Sequence, residues 1–144
     1  SDQVSYSMIK RDIEHELVPY LIENNKSVLA YSPLQRGLLS GKIKPGHSFA
    51  EGDTRADQSY YSGKNIQLTN AFLDKIKPLA DEKNATLSQL VIRWTIEQPG
   101  ITIALVGARN AAQSVENAKA AQLKLSNEEV SFINAELAKL KLEL

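Results

Sequence analysis

Gln98-Pro99-Gly100-Ile101-Thr102-Ile103-Ala104-Leu105-Val106-Gly107 is the stretch that decides the fold. Pro99 and Gly100 stop whatever helix precedes them, the run from Ile101 to Val106 is apolar apart from one threonine, and Gly107 ends it. A short apolar run bounded by turn residues reads as a strand covered on both faces, the kind that belongs to a parallel sheet with helices outside.

Working outward, Thr86-Leu-Ser-Gln89 has the form of a capping box and opens a helix carrying Leu90, Val91, Trp94 and Thr95. Trp94, on the apolar stripe of that helix, reads as core. Upstream, a helix is expected over Gln67 to Lys83, with Pro78 breaking or kinking it. Downstream, a helix from Ala111 to Ala121 follows, and Ser126-Asn-Glu-Glu129 is a second capping box ahead of Val130, Ile133, Leu137 and Leu140. Near the start, residues 3–8 alternate weakly as a strand, Leu17, Leu21 and Ile22 stripe a helix that tolerates Pro19 in its first turn, and Ser27 to Tyr31 is a second buried strand. Residues 32–64 are irregular and contain five glycines, a length that marks a functional loop in compact domains.

The order is strand, helix, strand, long loop, two helices, strand, helix, helix, which predicts an α/β fold built of parallel strands and crossovers. Three strands alone leave two apolar edges unpaired, which natural sheets avoid. A (β/α)8 barrel needs about 250 residues, so a chain of 144 would supply only its last units. The sequence opens at Ser1 and its only methionine is Met8, which points the same way, toward part of a longer protein.

Composition excludes several function classes. Lys and Arg number 17 against 17 Asp and Glu, so the formal charge is zero and neither nucleic acid nor an anionic membrane is the expected partner. With 42% hydrophobic and 24% charged residues the chain is of globular composition. There is no cysteine, and His15 and His47 lie too far apart for a zinc spacing; both read as surface residues. No run approaches the roughly 18 apolar residues of a membrane span, and no signal peptide is visible, so a cytoplasmic location is expected.

Two strand ends could carry chemistry. Tyr31-Ser32-Pro33-Leu34-Gln35-Arg36-Gly37-Leu38-Leu39-Ser40-Gly41-Lys42 leaves a buried strand with amides, hydroxyls and cations able to converge on an anion. Val106-Gly107-Ala108-Arg109-Asn110 leaves the next strand and opens a helix, whose N-terminus favours anions. Simpler readings stand beside these: Gly37, Gly41 and Gly107 as turns needing positive φ, Arg109, Gln113, Glu116 and Asn117 as a solvated helix face, and Lys42, Lys44 and Arg55 as ordinary loop charges.

QVSYSMIKRDIE, LAYSPLQRGLLSGK and VGARNAAQSVEN, in that order, resemble the C-terminal part of the aldo-keto reductases, over essentially the whole chain. The resemblance implies one segment, 1–144, that forms strands six to eight and the following helices of a (β/α)8 TIM barrel and binds NADP(H). By motif, it implies that Gln3 hydrogen-bonds the nicotinamide carboxamide and that Tyr31 stacks on the nicotinamide ring. Ser32, Pro33, Leu34, Gln35, Gly37 and Lys42 would wrap the pyrophosphate, with Arg55 as a basic residue closing over it. Gly107, Arg109 and Gln113 would surround the 2′-phosphate and its ribose, and Glu116 and Asn117 would reach the adenine. Gln113 stands where many relatives carry arginine, which weakens strict preference for NADPH over NADH. The family's catalytic aspartate, tyrosine, lysine and histidine come from earlier strands, and no residue here matches them.

Three functions follow as expectations. The first is the cofactor-binding part of a carbonyl reductase that acts on small aldehydes or ketones once joined by the N-terminal half of the barrel. The others are a dinucleotide-binding regulatory protein without turnover, and a self-associating half-barrel whose motifs are idle. Residues lining a barrel interior would be exposed in the chain alone, which predicts poor solubility without a covering partner.

Overall fold

The computed structural model describes residues 1–144. Its sheet has three strands, β1 (Asp2–Ser5), β2 (Val28–Tyr31) and β3 (Ile101–Leu105), ordered β1-β2-β3 and parallel throughout. Helix α1 (Leu17–Glu23) joins β1 to β2; the irregular loop, α2 (Gly63–Glu82) and α3 (Leu87–Glu97) join β2 to β3; α4 (Ala111–Ala118) and α5 (Asn127–Lys139) complete the chain. The α/β order read from the sequence is therefore the observed one.

Both capping boxes form in full. The Thr86 and Ser126 side chains each accept from the backbone N–H three residues on, and the Gln89 and Glu129 side chains return the bond to the cap N–H. These bonds satisfy donors that the first helical turn leaves orphaned, which fixes where α3 and α5 begin.

The core lies between one face of the sheet and the helices. Trp94 is fully buried, its ring stacked on Tyr6 at 6.2 Å between centroids and its Nε1 donating to Asn134 Oδ1 at 2.8 Å. Val28, Ala30, Leu73, Ile76, Leu90, Val91 and Ile133 join it, so α2, α3 and α5 are all pinned to one apolar cluster. Burial of side chains this size contributes about 1.5–3 kcal/mol each, enough to override weak local propensities.

Several expectations need correction. Helix α2 is continuous through Pro78 and starts at Gly63, four residues earlier than read, with Ser62 as its N-cap. Pro78 and Asp74, whose carbonyl would lose its bond, both sit on the solvent side, which leaves that carbonyl open to solvent. The run Ile101 to Val106 is not covered on both faces: Ile103 is exposed because helices pack on only one side of the sheet, and Thr102 is exposed where the β2–β3 register shifts. The first strand stops at Ser5 rather than reaching residue 8, and α4 gives way to a 3-10 turn at Lys119–Gln122. In α1 the buried pair is Val18 and Leu21, while Ile22 is half exposed. Gly107 is not in the positive-φ region that Gly37 and Gly41 adopt. No helix is long and apolar enough to cross a membrane.

Candidate functional site

Parallel pairing brings all three strands to an end at one edge of the sheet, since Ser5 pairs with Tyr31 and Tyr31 with Leu105. Side chains alternate across a strand, so Gln3, Leu29 and Ile103, which are in register, share one face with Ser5, Tyr31 and Leu105. Val28 and Ala30 take the buried face. Gln3 and Tyr31 thus project from the open face on adjacent strands, and Tyr31 is 43% exposed, a large aromatic surface available to a planar ligand.

The loop after β2 has an unusual backbone. Ser32, Gln35 and Arg36 have φ of 57°, 45° and 47°, and Gly37 has φ of 98°. Left-handed conformations in three non-glycine residues are unfavourable, and such strain concentrates at ligand clamps. The loop is anchored from several directions. The Ser7 hydroxyl donates to Gln35 Oε1 at 2.8 Å, and the Tyr61 hydroxyl donates to the Gln35 carbonyl at 2.9 Å. Pro33 and Gln35 are buried and Leu34 half-buried, so these three shape the loop from beneath; Lys42 is exposed.

Arg55, expected to close over a ligand, is occupied within the protein. Its Nε and Nη2 bind the Asp53 carboxylate and its Nη1 donates to the Arg36 carbonyl at 2.9 Å. Its guanidinium also lies over the Phe49 ring at 5.1 Å. Hydrogen bonds from Arg55 hold the Asp53 carboxyl down to about 2. Lys44 is likewise committed, to Asn70 Oδ1 at 2.9 Å.

The strand end after β3 is held by α4 itself. Asn110 caps the helix by accepting from the Gln113 N–H at 2.9 Å, and the Gln113 side chain reaches back to accept from the Arg109 N–H at 2.8 Å. One turn on, Asn117 Nδ2 donates to the Gly107 carbonyl at 3.2 Å. The Arg109 side chain is exposed beside this helix N-terminus, where anions are favoured. Glu116 turns toward α3: Gln89 Nε2 donates to its carbonyl at 2.9 Å and to its carboxylate at 3.2 Å, and Lys119 pairs with it. Asn117 also lines a cavity of about 310 Å³ with Ile92, Ala104, Val106 and Ser114, between α3, β3 and α4.

The structure therefore brings Gln3, Tyr31, the 32–37 loop and the 107–109 loop to one edge, and turns Gln35, Arg55 and Glu116 toward protein partners. Sequence reasoning missed Ser7, Asp53, Tyr61 and the second use of Gln89. Only Gln89 carried a local signal, as part of its capping box; the others act on residues that tertiary folding brings near. His15 and His47 are exposed, as read, and no group of three or more His, Asp or Glu side chains converges on a metal-sized site.

The chain is 30% identical over 131 residues to the NADH-specific methylglyoxal reductase of Escherichia coli K12, covering 91% of this chain and 40% of that protein. It is 31% identical over 134 residues to an NADP(+) aldo-keto reductase of Schizosaccharomyces pombe, covering 91% of this chain and 39% of the relative. The chain thus spans about two fifths of the length of the curated relatives it matches. Among solved structures, the glycerol dehydrogenase of Gluconobacter oxydans superposes with a TM-score of 0.88 at 30% identity, over 96% of this chain and 42% of that one. The model of the aldo/keto reductase family matches residues 1–137, and the chain belongs to that family.

Proposed function

We propose that this chain is the dinucleotide-binding part of a carbonyl reductase, forming strands six to eight of a (β/α)8 barrel and binding NADP(H) at the shared strand edge. The observation that carries this reading is the convergence, at one edge of a parallel sheet, of an exposed aromatic ring, a strained anchored loop and a helix N-terminus bearing a free-standing arginine. Ligands of α/β barrels sit at that end of the strands. When bound, the dinucleotide supplies hydride chemistry toward an aldehyde or ketone. This chain's residues would bind and orient it: Gln3 at the carboxamide, Tyr31 beneath the nicotinamide ring, the 32–42 loop along the pyrophosphate, Arg109 at the 2′-phosphate, Gln113 at its ribose and Asn117 at the adenine.

On this reading the proton for the carbonyl oxygen would come from the earlier strands of the barrel. Tyr6 and Tyr61 have buried hydroxyls bonded to Glu14 and to the Gln35 carbonyl, so neither faces the open edge. The remaining barrel strands would pair with the free edges of β1 and β3 and close the sheet on itself, so that its open face, where Ile103 is 46% exposed, would line the barrel interior opposite their catalytic residues. The reading places the protein in the cytoplasm with small carbonyl substrates.

Titrating the 144-residue chain with NADPH and with NADH, read by nicotinamide fluorescence, tests the reading. Saturable binding of either dinucleotide, abolished by Arg109→Ala for NADPH and only weakened for NADH, supports it. Absence of saturable binding of both contradicts it.

A further inference from the structure

Residues 35–37 form three consecutive left-handed positions, and each of their carbonyls accepts a hydrogen bond from a different side chain. The Tyr61 hydroxyl donates to the Gln35 carbonyl at 2.9 Å, Arg55 Nη1 to the Arg36 carbonyl at 2.9 Å, and the Ser40 hydroxyl to the Gly37 carbonyl at 2.6 Å. Peptide planarity means that fixing a carbonyl fixes the whole unit, so three bonds set three consecutive planes. Arg55 and Tyr61 come from the far end of the long loop, which returns to grip its own beginning. Arg55 is in turn fixed by Asp53 and by the face of Phe49. Phe49 packs edge-on against Tyr61 at 5.7 Å between centroids, so the two donors form one unit.

We propose that Tyr61, Arg55 and Ser40 are positioning residues that hold the 35–37 backbone in its left-handed turn, so that the pyrophosphate of a dinucleotide meets a loop already in its binding shape. This inference rests on the dinucleotide reading above. Left alone, Gln35 and Arg36 would relax to right-handed conformations, and the ligand would have to order the loop itself, which lowers affinity. Arg55 on this view braces the loop through its bond to the Arg36 carbonyl. Burial raises the Tyr61 hydroxyl above its ordinary range, which keeps it a donor at every working pH.

The test uses calorimetric titration of the 144-residue chain with NADPH and with 2′-AMP, which lacks the pyrophosphate and engages only the α4 side. Tyr61→Phe, which keeps the buried ring, is expected to weaken NADPH about three- to tenfold, the range one hydrogen bond supports, and to leave 2′-AMP unchanged. Ser40→Ala should do the same and Ser40→Thr, which keeps the hydroxyl, should restore wild-type affinity. NADPH affinity unchanged in Tyr61→Phe and Ser40→Ala overturns the inference, as does equal weakening of both ligands or failure of Ser40→Thr to rescue. A wild-type chain that binds no NADPH overturns the dinucleotide reading itself and this inference with it.

Discussion

The Ser7 hydroxyl donates to Gln35 Oε1 across 2.8 Å, with both residues buried, and so ties the chain just past the end of β1 to the strained loop after β2. A polar bond inside a protein contributes modestly when made, but removing one partner leaves the other desolvated and unsatisfied. Ser7→Ala is expected to destabilise the fold by about 1–3 kcal/mol. Urea unfolding checks it, with a shift of the midpoint at unchanged slope.

Thr69 presents the opposite case. It is fully buried in α2, and its Oγ1 has no hydrogen-bond partner. Valine has nearly the same shape without the hydroxyl, and the helix tolerates it where packing decides. Thr69→Val is expected to stabilise the chain by about 1 kcal/mol, read as a higher urea midpoint.

Gly100 connects α3 to β3 at φ of 78°, and a Cβ there would lie 2.6 Å from Val18 Cγ1 and 3.0 Å from Ile22 Cδ1. Backbone strain and overpacking act together, against a β-branched neighbour with little freedom to move. Gly100→Ala is expected to lower stability by about 1–3 kcal/mol and to loosen the contact of α1 with the β3 entry. Thermal unfolding followed by circular dichroism would detect it.

Tyr6 gives the fold a dependence on alkaline pH. Burial, then its bond to the Glu14 carboxylate, pushes its hydroxyl well above the ordinary value of 10.0. A folded-state value above the unfolded one means that the contribution is fully present below about pH 10 and is lost as pH rises toward the folded-state value. Stability should therefore fall as the solution passes about pH 10, and Tyr6→Phe should flatten that fall. Tyr61, raised in the same direction by burial, leaves a residual slope. Urea midpoints measured on both proteins across that interval test the sign.

What the sequence made legible was local or periodic. Thr86 and Ser126 announced their helices because a capping box is complete within four residues. Trp94 was readable as core from helical spacing. Tyr31 and the loop behind it stood out because small and turn residues follow an apolar strand. Gln35 and Arg55 were expected at a ligand, yet the fold directs both inward, to Ser7 and Asp53, and a position on a motif does not reveal which way a side chain turns. Tyr61 acts on a residue 26 positions earlier, which no local pattern encodes. Ile103 was misread because an apolar strand looks the same whether its second face is covered by this chain or left open. Pro78 leaves α2 unbroken because the carbonyl it deprives lies on the solvent side, which no local pattern reveals.

In the proposed arrangement one strand edge gathers Gln3, Tyr31, the 32–42 loop and the 107–117 segment into a single dinucleotide site. Amide chemical shifts of the 144-residue chain, followed while NADPH is added, test it most directly. Saturable shifts, with one common affinity and confined to those four segments, are the expected result. Shifts clustered elsewhere, or none at saturating NADPH, would contradict it.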